Sequence, residues 1–166
     1  MSEMTDITTR KIFLEICMDI EGLCASLYHF YSTIYEDSPE AVRFWKKVAL
    51  EEENHQKQFE LALRLLNETE FEVSKDNLKR AYAIQFKLQN LMNHIQSHKP
   101  DLLTAVSKAI EMEEKLADLH VHTSLNFKDE SMQKLFTALG NADMHHVSEM
   151  QRYLTVLYLP LSDMEG

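Results

Sequence analysis

The sequence predicts an all-α protein in which four long helices form a bundle and a fifth helix is carried by a long crossover between the second and third of them. Three observations predict it. The 166 residues include only 3 glycines and 3 prolines, and Leu, Ala, Glu, Lys and Met are abundant, a composition that favours long helices over turns and strands. Apolar residues recur at helical spacing in five segments, about 8–35, 39–66, 75–97, 101–126 and 129–158. Residues that start and stop helices stand between those segments. A chain of this length fits one domain, 1–166, because a single core of that size buries about two-thirds of the unfolded surface.

Each segment has its own warrant. The first is apolar over a wide arc, and Glu21 lies within the side that carries Leu14, Cys17, Met18, Cys24, Ala25 and Tyr28. The second opens on Ser38 and Pro39, an N-cap followed by a first-turn proline. At about 100° per residue its Ala41, Trp45, Val48, Glu52, His55, Phe59, Leu63 and Leu66 share one face, so an acid and a histidine sit in an apolar stripe. The third segment lies in the crossover, residues 67–100. Ser74 can cap it, and its stripe of Leu78, Ala81, Tyr82, Gln85, Leu88, Met92 and Ile95 is expected to pack on the bundle or on a second subunit of a homodimer. Pro100 and Asp101 separate it from the fourth, where Leu102, Val106, Ala109, Ile110, Glu113, Ala117 and His120 fall together, with Glu111, Glu114 and Asp118 to the side or outside. Asn126 to Asp129 links to the last segment, whose Met132, Phe136, Leu139, Asp143, His146, Met150, Leu154 and Leu157 again set an acid and a histidine in an apolar stripe.

Charge excludes several functions. The formal net charge is -10, which repels phosphate backbones and anionic lipid, and no dense cluster of Lys or Arg reverses it locally. Nucleic acid is not an expected partner. The N-terminus MSEMTDITTRK lacks the apolar core of a signal peptide, and no apolar run approaches the roughly 20 residues of a membrane span, so a cytoplasmic protein is expected. Cys17 and Cys24 stand seven residues apart, which suits neither a CxxC metal knuckle nor a disulfide framework.

An internal repeat sets the register of the polar core residues. Residues 18–28, MDIEGLCASLY, align without a gap with residues 110–120, IEMEEKLADLH, pairing Glu21 with Glu113 and Tyr28 with His120. Glu21 precedes Glu52 by 31 residues and Glu113 precedes Asp143 by 30. Each half therefore reads as acid, helical hairpin, then acid-x-x-His, which implies a pseudo-twofold bundle. Four ionised carboxylates in a dry core would cost many kcal/mol and would raise one another's pKa until some bound protons. Two divalent cations supply the missing +4, and oxygen donors with two imidazoles suit iron or manganese better than thiolate-seeking metals. Residue i+3 lies beside residue i on a helix, so Glu52 with His55, and Asp143 with His146, can each serve one ion, with Glu21 and Glu113 completing or bridging the pair. Ferritin-like carboxylate proteins use that ligand arrangement.

The strings EENHQKQF, AIEMEEKLA and ADMHHVSEM, within residues 8–66 and 101–158, resemble the ferritin-like superfamily and, within it, the rubrerythrin-like proteins. The resemblance implies a ferritin-like four-helix bundle, a centre of two iron ions (or manganese, or a mixed pair) on Glu21, Glu52, His55, Glu113, Asp143 and His146, reduction of peroxide or dioxygen, and an external electron donor. Three departures stand out. Asp143 replaces the usual Glu, the extra acid that rubrerythrins carry three residues from the Glu113 position is absent, since Ile110 and Leu116 stand there, and a C-terminal rubredoxin domain is not expected. Tyr28 and His120, two turns beyond the buried acids, are candidates to hydrogen-bond a ligand or a substrate. Ferroxidase or iron-storage activity uses the same ligands and is the second expectation. A third is a non-enzymatic helical binding protein, metal-free or with a structural metal, that uses the crossover helix at residues 75–97 as an interaction surface.

Overall fold

The computed structural model describes residues 7–69 and 71–159. Among these the chain forms five α-helices and no strand: α1 (Ile7–Ile34), α2 (Pro39–Arg64), α3 (Lys75–Ser97), α4 (Leu102–Ser124) and α5 (Glu130–Tyr158), with one turn of 3-10 helix at Leu66–Glu68. None of these helices is long and apolar enough to cross a membrane.

Helix starts follow side-chain chemistry. Ser38, Ser74, Asp101 and Asp129 each accept a hydrogen bond from the amide three residues on, at 3.2, 3.0, 2.7 and 2.8 Å, satisfying a donor that the first turn leaves free. Pro39 fills the first turn of α2, where no amide hydrogen is needed.

The two short connections pair their helices most extensively: α1 packs on α2, and α4 on α5. The long connection places α3 against α1 and, over a smaller area, against α4. Four contacts fasten it there. Arg10 donates to the Thr69 carbonyl at 2.8 Å and lies over the Phe71 ring, Gln85 donates to Asp19 at 2.8 Å, and the Tyr35 hydroxyl donates to the Pro100 carbonyl at 2.5 Å.

The buried faces follow the helical spacing on α1, α2, α4 and α5. Trp45, Phe13, Phe59, Phe136, Leu14 and Leu116 are fully enclosed, and Trp45 is wrapped by Tyr28, Tyr31 and Phe44. The stripe on α3 needs correction. Its buried side runs through Asn77, Ala81, Ile84, Leu88 and Ile95, while Tyr82 points outward at 48 % exposure. Helix α3 is turned so that Ile84 meets the bundle, and Gln85 reaches sideways to Asp19. Phe86, one turn beyond Tyr82, is also exposed. Met112, Met132 and Met150 pack in the core, and Met144 is exposed.

Candidate metal centre

Eight chemistry-bearing residues converge between the helices: Glu21 and Tyr28 from α1, Glu52 and His55 from α2, Glu113 and His120 from α4, and Asp143 and His146 from α5. All are buried, and Glu21, Glu52, Glu113 and Asp143 have no solvent exposure. They arrive there because each sits on its helix's apolar stripe. Burying Trp45, Val48 and Phe59 on α2, or Phe136, Leu139 and Met150 on α5, carries the intervening acid and histidine inward with them.

Donor atoms gather into two overlapping groups, each with its atoms within 4.8 Å of one another: Glu21, Glu52 and His55, and Glu52, Glu113 and His146. Glu52 belongs to both. His55 Nδ1 lies 3.2 Å from Glu52 Oε2 and 3.6 Å from Glu21 Oε2. His146 Nδ1 lies 2.9 Å from Glu52 Oε1 and 3.4 Å from Glu113 Oε2. Asp143 is in the same buried centre but in neither group, because its carboxylate is turned to His120 Nδ1 at 2.5 Å. A side chain one methylene shorter than Glu also reaches less far from its own helix.

The repeat is visible in the contacts. The Tyr28 hydroxyl donates to Glu113 Oε1 at 2.5 Å, and its counterpart His120 places Nε2 3.5 Å from Glu21 Oε1. Each residue of this pair thus addresses the acid of the opposite half. His120 addresses Asp143 as well. Phe59 and Phe136 wall its ring.

One contact was not legible in the helical stripes. His146 Nε2 is hydrogen-bonded to Glu51, the residue before Glu52, which reads from its position as part of a solvated acidic run. At the surface His29 and Glu53 pair with each other at 2.6 Å and are both about 40 % exposed.

Electrostatics mark the cluster as short of positive charge. Burial pushes the Glu21 carboxyl up to about 7, and the neighbouring Glu52 charge adds to it. Asp143 is raised well above the carboxylate range by burial and then by Glu21 and Glu52, and Glu113 is raised by burial. Burial also pushes at Glu52, but the close polar groups of Glu21, His146 and His55 outweigh it and hold this acid below its ordinary value. Burial disfavours a charged His55, yet Glu21 and Glu52 raise it to about 10. His146 is raised in the same way by Glu113, Glu51 and Glu52, whereas burial lowers His120.

Hydrogen bonding leaves the centre incomplete. Both oxygens of Glu21, Glu52 Oε1, Glu113 Oε2, Asp143 Oδ1 and His146 Nδ1 are buried with no hydrogen-bond partner. Several are close neighbours without being aligned to bond one another, so they face common points between them. Buried polar atoms are rarely left so, and a cation at such a point would satisfy several at once. Carboxylate oxygens and imidazole nitrogens are the donor set of iron or manganese rather than of thiolate-seeking ions.

Cys17 and Cys24 are free and fully buried. Burial raises both thiols well above their ordinary value, with Glu21 adding to Cys17 and all four core acids to Cys24. Neither forms the thiolate that reacts. A thiol reagent applied to the native protein is therefore expected to label neither cysteine, and to label both once urea unfolds the chain; fast labelling without denaturant would contradict the burial.

The chain matches no protein-family model, no curated protein and no solved structure.

Proposed function

We propose that the chain is a dinuclear metal carboxylate protein of the ferritin-like, rubrerythrin-like kind, an oxidoreductase that reduces peroxide or dioxygen with electrons from an external donor. The observation that carries the proposal is the pair of buried donor groups sharing Glu52. The connection through α3 then serves as the long crossover of a ferritin-like bundle.

Glu21, Glu52 and His55 would hold one ion and Glu113, Glu52 and His146 the other, with Asp143 available if its bond to His120 is exchanged for a metal. Two bound iron ions would supply the electrons for reducing an oxygen–oxygen bond and the Lewis acidity to bind it. The chain's own contribution is positional. The Tyr28 hydroxyl fixes the rotamer of Glu113, His120 fixes that of Asp143, and stacking on Trp45 fixes Tyr28 in turn. The aromatic wall of Phe59 and Phe136 excludes water from the His120 side. Low dielectric there strengthens every interaction with a bound cation.

The test is anaerobic loading. Metal-free protein given ferrous iron under argon and desalted is expected to retain two ions per chain, then to develop near-ultraviolet absorption of an oxygen-bridged ferric pair on adding peroxide or air. Recovery of the starting spectrum with a reductant and repeated turnover support the oxidoreductase. One-time oxidation with release of ferric iron favours a ferroxidase instead. No retained iron leaves a helical protein with a polar core.

A further inference from the structure

We infer that Glu51 is a positioning residue for His146, and that the lack of its counterpart beside His55 makes the two metal positions unequal, the ion on Glu52, Glu113 and His146 being held more tightly than the ion on Glu21, Glu52 and His55. This rests on the dinuclear centre proposed above.

The two histidines occupy equivalent places in the repeat and differ in their outer partner. His146 uses Nε2 to bond Glu51, which leaves Nδ1 directed at Glu52 and Glu113. All of the described ion pairs of His55 fall on Nδ1, with Glu21 and Glu52, and no third described carboxylate pairs with it. The register explains the difference. Glu52 corresponds to Asp143 and His55 to His146, so the residue corresponding to Glu51 is Ala142, which has no group to accept a hydrogen bond.

Glu51 is itself anchored. Lys47, one turn before it, lies 3.9 Å from Glu51 and 2.6 Å from Glu149 of α5, so the carboxylate is held between α2 and α5 on the side where His146 emerges. Its side chain keeps 33 % exposure and remains partly solvated while it acts. A carboxylate on the outer ring nitrogen fixes tautomer and ring orientation and makes the ligating nitrogen more basic, and loss of such a partner typically weakens metal binding by about 10–100-fold.

Titration of the metal-free full-length chain with cobalt(II), followed by calorimetry and by the visible ligand-field spectrum, tests this. Two ions of different affinity are expected, the first stronger by about tenfold or more. Glu51→Ala weakens the stronger ion by about 10–100-fold, shifts its spectrum, and changes the weaker ion much less. Glu51→Gln, whose amide oxygen still accepts from Nε2–H, recovers most of the loss. Ala142→Glu tightens the weaker ion. Circular dichroism and the thermal midpoint confirm that each variant is folded. Two ions bound with a Glu51→Ala titration superimposable on that of the unsubstituted chain, equal weakening of both ions, or no recovery by Glu51→Gln overturns the inference while leaving the dinuclear centre standing. An unsubstituted chain that takes up no cobalt overturns both.

Discussion

Substituting Glu52 with alanine is expected to abolish retention of both metal ions, whereas Glu113→Ala leaves one. The asymmetry comes from the shared donor. Glu52 is common to both groups, and its oxygens lie against both histidines, at 3.2 Å from His55 and 2.9 Å from His146. Glu113 belongs only to the second group, so its removal leaves Glu21, Glu52 and His55 intact. Metal analysis after desalting distinguishes the outcomes: ions per chain fall from two to none for Glu52→Ala and from two to one for Glu113→Ala. Equal stoichiometry in the two variants would show that no carboxylate is shared.

The second large effect concerns pH. In the metal-free chain, protons stand where cations would. Glu21 titrates at about 7 in the fold against 4.5 as an ordinary carboxyl, so between those values the folded chain holds a proton that the unfolded chain has released. Stability therefore falls as pH rises across that window, by about 3 kcal/mol at about 1.4 kcal/mol per pH unit. His55, raised to about 10 from 6.5, contributes stability that is complete below 6.5 and lost as pH climbs through 10. Glu52, held below its ordinary 4.5, opposes them only in acid, where its contribution disappears as pH falls. Urea unfolding of chelated protein should thus show a stability maximum near pH 5 and a steady decline to pH 9. Glu21→Gln should flatten the part between 4.5 and 7. With metal bound the trend reverses, because deprotonated ligands bind cations better. Metal-free protein that gains stability between pH 5 and pH 9 would contradict the charge deficit of the buried cluster.

Which side chains face inward was legible because period and burial coincide. On α2 and α5 one acid and one histidine interrupt an otherwise apolar stripe, and a stripe long enough to bury Trp45 or Phe136 carries its polar members with it. Tyr28 and His120, paired in the repeat, are buried for the same reason. What each polar atom would meet across the bundle was not legible. Glu51 lies about 100° round the helix from Glu52, in a run of three glutamates, and its partner is 95 residues away on another helix. The only available signal was the contrast between Glu51 and Ala142 at matching register. Asp143 turns to His120 because of its side-chain length, which a helical wheel does not encode. Tyr82 failed for a different cause: α3 packs on α1 and α4 together, so its rotation answers to two neighbours and not to its own apolar spacing.

The short links also bear on how the molecule assembles. Each of the pairs α1/α2 and α4/α5 joins segments close in sequence, which favours early and rapid formation. The first pair alone contains Glu21, Glu52 and His55, a complete three-donor group, and meets only two of the four core acids. Repulsion among all four arises when the pairs close on each other, so it burdens the docking step and spares the hairpins. A cation captured by the first hairpin would lighten that step, making the ion a participant in folding before it serves any chemistry.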